Sequence, residues 1–564
     1  MTMKTFNKIF AFVLVVALSS CAGSFLDREP HGSTLTQIQY EQLDNTLAGS
    51  LRGIYALMYT KTSEDHDEFG KRAIDLYTDL LSGDMALTSY SYGWFYTDER
   101  GMTSTSRTGT VWSYYYKMLH NTNMVLKVIA DQSQVTKKVA EYGLPNTYNT
   151  STGLLSVVNG KDTLYTYTEN EILEAGYYAQ ALTMRGYVLT GLVPLYTLTS
   201  SQLNGDLKNT MAFPIYNENN MDNAQGYSVL SDVYTQLESD LTNAIDYFDA
   251  FGEALTRASK LEVNIDVARG LLAYSYLNKA NPNASSSSDA YRAAYTNALK
   301  YAKDVIESGS YTVLPNREVW TNGFNDVNSN CWIWGQDVTT ETATGLASFF
   351  GQVDIHTYSY AWAGDTKAID ENLYNTIPDF DARKRWFNDG TALAKFKYCP
   401  DKKFFSAKCP TSTKQDDIDR EWLSDNVFMR VEAMYLIAAE AEYRLGEYDQ
   451  AKIYLQGIMD QRVDTASTAA ADYAAYMSGL NSSNLLAAIE YNWRVELWGE
   501  GYGLQTFRRL SPETSGDTKR RRGSNHAAEA GADIDATASK FTFAIPSSET
   551  SYNPNLKGET TPLE

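Results

Sequence analysis

Residues 84 to 100 read DMALTSYSYGWFYTDER, with Tyr90, Tyr92, Trp94, Phe95 and Tyr96 packed into seven positions. Aromatics at every second position of an extended stretch point to one side, so Tyr90, Tyr92, Trp94 and Tyr96 would share a face. Such a face suits the axial C–H surface of a sugar ring, while Asp84, Asp98 and Arg100 offer donors and acceptors for its hydroxyls. The same alternation also describes a half-buried strand packing its rings inward, and both readings stay open at this level. A second aromatic group lies between residues 320 and 362. Trp320 in REVWTNGFND and Trp362 in YSYAWAGD sit among Gly, Asn and Asp, where a loop exposes a ring. Trp332 and Trp334 alternate in NCWIWGQD, which reads as a buried strand. The chain's 41 Tyr and 10 Trp exceed what a core needs and point to ligand-contacting surface as well as packing.

Other chemistries find less support. A carboxylate pair could be drawn through Glu496 and Glu500, but Arg494, Arg508 and Arg509 lie beside them at helical spacings, which favours ion pairing over catalysis. The five histidines, His31, His66, His120, His356 and His526, show no metal-ligand spacing. SEDHDEFG at 63 to 70 gathers oxygens but lacks the positions of an EF-hand loop, so a structural Ca²⁺ is not supported and no cofactor is expected. No phosphate loop, nucleophile elbow or H-E-x-x-H motif is present. A tethered glycoside hydrolase would require two carboxyl groups about 5 to 10 Å apart at a sugar site, and acidic residues are too numerous to exclude it by counting.

The elements that must position these residues read as mainly helical. In NVFMRVEAMYLIAAEAEYRLGEYDQAKIYLQGIMDQR, residues 426 to 462, apolar side chains recur at three- and four-residue steps, stop at Gly446 and resume. The A-E-x-x-Y-R-L-G-E-Y-D-Q-A pattern inside it resembles a tetratricopeptide repeat, whose small residues let two helices approach. Further pairs are expected within 174 to 248, 264 to 309 and 41 to 130. Between them lie irregular polar segments, about 61 to 111, 131 to 170, 310 to 425 and 511 to 564, where function usually resides.

The N-terminus carries Lys4 and Lys8, an apolar run from Ile9 to Leu18 and small residues before Cys21. About ten apolar residues are too few for a lasting span, so residues 1–20 read as a cleaved leader. Leu18, Ser19, Ser20 and Cys21 resemble a lipobox, which makes Cys21 the acylated mature N-terminus and residues 21–564 one anchored domain. The net charge of −21 repels nucleic acid. The run KRRRG at 519 to 523 reads as a solvated loop. Cys331, Cys399 and Cys409 form no disulfide framework, although Cys399 and Cys409 are close enough in sequence to pair.

Several separated motifs then converge. CAGSFLDREP, DFDARKRWF (379 to 387), MRVEAMYLIAAEAEYRLGEYDQAKIYLQGIMDQR (429 to 462), AIEYNWRVELWGEGYGLQTFRRL (488 to 510) and AIPSSETSYNPNL (544 to 556) occur in this order. They resemble the C-x-x-x-L-D-x-x-P start, D-x-R element, R-x-A-E helix, E-L-x-x-E-G helix and I-P-x-x-E closing turn of the SusD/RagB family of outer-membrane nutrient-binding lipoproteins. Asn492, Tyr502 and Thr506 depart from the family pattern, with consequences for local ion pairs but not for the helices. The resemblance implies a tetratricopeptide-like helical-repeat scaffold with long irregular ligand-binding insertions near 61–111 and 310–425. It implies binding without catalysis, a location on the outer membrane and a SusC-like TonB-dependent transporter as partner. It also places aromatic and polar ligand contacts in loops near residues 84 to 100. The expected ligand is an oligosaccharide, and a peptide is the alternative within the family.

Overall fold

The protein is described here by a computed structural model covering residues 46–556, except 62–64, 93, 96–105, 256, 258, 406–422, 465–468 and 539–540. The fold is mainly α, with eighteen α-helices and four small antiparallel sheets among the described residues. The twelve longer helices are α1 (Thr46–Leu57), α2 (Lys71–Ser82), α3 (Ser106–Gln132), α4 (Glu169–Tyr196), α5 (Leu230–Phe251), α6 (Ile265–Lys279), α7 (Asp289–Glu307), α8 (Val431–Leu445), α9 (Tyr448–Met459), α10 (Ala469–Gly479), α11 (Leu485–Glu496) and α12 (Gly503–Thr514). None is long and apolar enough to cross a membrane.

From α3 to α9 each long helix packs on the next, which is how a helical repeat buries apolar faces that no single pair could cover alone. Local chemistry sets the ends. Thr168 and Glu171 form a capping box at the start of α4, each side chain accepting from the other's backbone N–H. Gly446 ends α8 in the left-handed conformation, its N–H donating back to the Glu442 and Tyr443 carbonyls, as the break in the apolar pattern suggested. Close approach is specified by small residues. A Cβ at Gly186 of α4 would stand 2.4 Å from the Leu241 side chain of α5.

From Leu51 onward the described residues form one compact unit. In that unit α12 returns to pack on α2, and α8, α11 and α12 stack in turn. Helix α2 lies inside a segment that reads as irregular in the sequence. Eleven of its twelve residues are buried, including Arg72, Asp75 and Asp79, so its polar stripe, with Asp75, Thr78, Asp79 and Ser82 at helical spacing, faces the interior and not solvent. The segments 131–170 and 310–425 also hold regular structure. The first carries a three-stranded sheet, and the second contributes the strand Trp332–Gln336, which pairs with Asn426–Arg430 and buries Trp332 and Trp334 completely. Cys399 is a buried thiol whose pKa burial pushes up to about 12, and Cys409 lies outside the described residues.

The charged residues of the family-like motifs meet in one buried cluster. Arg430 donates to Glu496 at 2.7 Å and to Glu500 at 2.8 Å, and Arg462 bridges Glu432 at 3.1 Å and Glu496 at 2.9 Å. Arg383 spans Asp381 at 2.6 Å and Glu496 at 3.1 Å, and Lys403 reaches Glu500 at 2.9 Å. Four cations therefore face four carboxylates, so the cluster is neutral as a whole. Burial opposes ionisation of Glu496, but Arg462, Arg430 and Arg383 together hold its carboxyl well below the usual range. Ion pairing of Glu496 and Glu500 is present, but with partners far away in sequence. The neighbouring arginines face elsewhere, Arg494 to Asp84, Arg509 to Glu440, and Arg508 to the carbonyls of Pro194 and Thr197. The basic run near 520 is split: Lys519 and Arg521 of a short strand are exposed as expected, whereas Arg520 pairs with Asp84 and Glu490 and Arg522 is buried. The two inward side chains find carboxylate and carbonyl partners that a solvated loop would not offer.

Candidate functional site

Two segments almost 270 residues apart form the site, and a three-residue ladder joins them. Met85–Leu87 pairs antiparallel with Lys367–Ile369, so residues following 87 must run beside residues preceding 367. The Thr88 N–H donates to the Thr366 carbonyl at 3.1 Å and extends the pairing by one step. This register brings the 90–95 aromatics onto the 358–362 aromatics.

Trp94 lies parallel to the His66 ring, with centroids 5.5 Å apart and 8° between planes. Tyr360 stands edge-on to His66 at 5.6 Å, to Trp94 at 6.5 Å and to Tyr92 at 5.2 Å. Tyr358 then tilts against Trp362 at 5.6 Å. The six rings fall into two neighbouring groups along the chain, four around Tyr360 and the Tyr358–Trp362 pair, which together make an aromatic path, with Tyr92 48% and Tyr358 47% exposed, so at least two faces are open to a ligand. Quadrupole geometry favours these offset and edge-to-face arrangements over face-to-face contact.

Buried polar ties fix the path from beneath. The Tyr360 hydroxyl and His66 Nδ1 are hydrogen bonded at 2.8 Å, and burial raises the Tyr360 phenol, which keeps it protonated. The fully buried Gln352 donates to the His66 carbonyl at 2.9 Å and accepts from Lys367 Nζ at 2.8 Å, while Lys367 pairs with Asp365 at 2.9 Å. Asp354 accepts from the His356 N–H and the Thr357 hydroxyl, shaping the turn before the short helix Tyr360–Ala363. Ser359 caps that helix by accepting from the Trp362 N–H at 3.0 Å. At the far end Lys395 Nζ donates to the Trp362 carbonyl at 2.7 Å and lies 4.9 Å from its ring centroid.

The residues singled out from sequence fare unequally. Tyr92 and Trp94 come together around Tyr360, Trp362 packs on Tyr358, and Tyr90 is half-buried. They do not share the face of a strand. The chain bends at Ser91–Tyr92 and again at Trp94–Phe95, and Phe95 adopts a left-handed φ of 64°. That conformation costs about 1 to 2 kcal/mol in a residue with a Cβ, and it turns the Phe95 ring into the core against Tyr77 and Phe69. Asp84 is not a surface ligand. It is 2% exposed, and its carboxylate accepts from Arg494 at 2.7 Å and Arg520 at 2.8 Å, while its carbonyl accepts from the Trp498 indole. Trp320 sits apart on the short helix Asn316–Asn322, beneath the Arg385 guanidinium at 5.3 Å, with no ring contact to the path among the described residues. Tyr96, Asp98, Arg100 and Cys21 lie outside the described residues.

His66, Tyr358 and Tyr360 complete the path although sequence reasoning did not select them. Tyr358 and Tyr360 alternate with Trp362 and were open to the same argument as 90–96, whereas no local signal marks His66. Carboxylates near the path are already engaged, Asp67 by Arg107 and Asp401 by His356 at 2.7 Å. No group of three or more His, Cys, Asp or Glu side chains could hold a metal among the described residues.

A helical-repeat scaffold presenting an aromatic surface on its irregular loops is the architecture of a binding protein. The profile of the SusD family matches residues 273–560, and the chain belongs to that family. Among solved structures it resembles a SusD-like carbohydrate binding protein from Bacteroides vulgatus, at 20% identity and TM-score 0.63 over 91% of this chain and 96% of the other. It also resembles SusD superfamily proteins from Bacteroides thetaiotaomicron, at 19% identity and TM-score 0.62 over 91% and 98%, and from Bacteroides fragilis, at 16% and 0.62 over 92% and 99%. No curated protein matches the chain.

Proposed function

We propose that the protein is a lipid-anchored surface receptor that binds an oligosaccharide along the Trp94–Tyr92–Tyr360–Tyr358–Trp362 path and delivers it to a TonB-dependent outer-membrane transporter. The carrying observation is the aromatic path itself, with two exposed tyrosines above a hydrogen-bonded base. Family membership and the carbohydrate-binding relative support the ligand class. The leader and the lipobox-like Cys21 support the anchor. Binding without catalysis is favoured because Glu496 and Glu500 are sealed in ion pairs and the carboxylates near the path have partners.

Isothermal titration against neutral and acidic oligosaccharides, with Trp94→Ala and Tyr92→Ala alongside, tests this reading. Wild-type binding that falls at least tenfold in either variant upholds it. Binding unaffected by both variants moves the site away from the path, and silence across glycans with binding of peptides refutes the ligand class.

A further inference from the structure

We infer that the Trp362 end of the path selects glycans carrying a carboxylate, such as uronic acid units, with Lys395 as the residue that reads the charge. This rests on the glycan reading above. The whole chain is strongly acidic, yet residues 384 to 403 hold Lys384, Arg385, Lys395, Lys397, Lys402 and Lys403 against only Asp389 and Asp401. Most of these charges are already answered. Lys384 pairs with Asp379 at 2.7 Å, Arg385 with Asp464 at 2.5 Å, buried Lys403 with Glu500, and Asp401 with His356. Lys395 and Lys397 are exposed and pair with no carboxylate among the described residues.

Of the two, Lys395 is the one fixed at the site. One of its three N–H groups donates to the Trp362 carbonyl, and the ammonium lies near that indole and 5.0 Å from the Phe396 ring. Two N–H groups remain to meet a carboxylate on a sugar packed against the neighbouring rings. Because the side chain is already held, little rotamer freedom is lost when the anion arrives. Lys402, 3.8 Å from Asp401, adds further positive potential nearby. The acidic unit is therefore expected at the Trp362 end.

The test compares oligogalacturonides with their methyl esters, which keep the ring and remove the charge, by titration of the purified full chain at low and high salt. A neutral glucan and xylan panel runs alongside. The acid is expected to bind more tightly than the ester by about three- to tenfold at low salt, with the preference fading as salt rises. Lys395→Gln should abolish the preference, and Lys395→Arg should restore it. Equal affinity for acid and ester overturns the inference and leaves the glycan reading standing. So does Trp94-dependent binding of neutral glycans with exclusion of the acids. Failure of every glycan to bind overturns both.

Discussion

Asp79 offers a sharp test of how the motif helices are docked. It sits on α2, 2% exposed, where its carboxylate accepts from the Gly503 N–H at 2.9 Å and the Gly501 N–H at 3.3 Å. Burial, reinforced by the Asp75 and Asp84 charges, raises its pKa from 3.8 to about 7 despite those two donors. The folded protein therefore retains a proton between pH 4 and 7 that the unfolded chain has released. Stability from this group is complete below about pH 4, is lost as pH rises toward 7, and above 7 the buried charge costs about 4 kcal/mol. That cost is already net of the two glycine N–H donors at the start of α12. Asp79→Asn mimics the protonated form and keeps an oxygen for one glycine N–H. For a chain of 564 residues, about 4 kcal/mol corresponds to a Tm gain of about 3 °C. The variant should match or fall slightly below the parent at pH 4.5 and exceed it at pH 8.5, read by circular dichroism melts across that range. A Tm difference that does not change with pH refutes the assignment of a buried, proton-retaining Asp79.

Three further outcomes follow from the same core. Arg430→Met leaves Glu496 and Glu500 short of a partner and should cost about 3 to 5 kcal/mol in urea unfolding, whereas Lys127→Ala, which breaks the exposed pair with Asp222, should leave the unfolding midpoint nearly unchanged. Burial, aided by Arg430 and opposed by Glu500, lowers Lys403 from 10.5 to about 8, so the unfolded chain binds the extra proton between those values and stability from this group rises with pH across that window. The Tm of the parent relative to Lys403→Met should accordingly increase from pH 7.5 to pH 10. Gly501→Ala would place a Cβ 2.2 Å from Asp75 Oδ1 at a φ of +85°, and the purified variant should melt at least several degrees below the parent.

What the sequence reveals follows from how locally each feature is determined. Helices α4 and α8 are legible because their caps and apolar spacing lie within the helix itself. Helix α2 has an equally local period, Ala73, Ile74, Tyr77, Leu80 and Leu81 opposite Asp75, Thr78, Asp79 and Ser82, but the partners of its polar side, Gly501 and Gly503, lie more than 400 residues away. Glu496 shows the same limit in charge. That it is paired can be inferred from nearby arginines, but Arg383, Arg430 and Arg462 reach it only through tertiary packing. The aromatic site is intermediate. Tyr92, Trp94 and Trp362 can be picked out one by one, whereas His66 and the union of the two segments depend on a three-residue ladder with no sequence signature.

That ladder also ties the scaffold to the site. Asp84, immediately before Met85, accepts from Arg494 and Trp498 of the E-L-x-x-E-G motif and from Arg520, and its carbonyl accepts from the Asp370 N–H just beyond the opposite strand. One buried carboxylate thus fixes the register of 85–87 against 367–369 to the same element that carries Glu496 and Glu500. A one-residue slip there would exchange the faces of both strands and draw Trp94 away from Tyr360. The motif residues need not touch a ligand to matter for binding, because they determine where the two aromatic loops meet. The loops themselves can vary without disturbing the buried cluster, which is how one scaffold can serve different ligands.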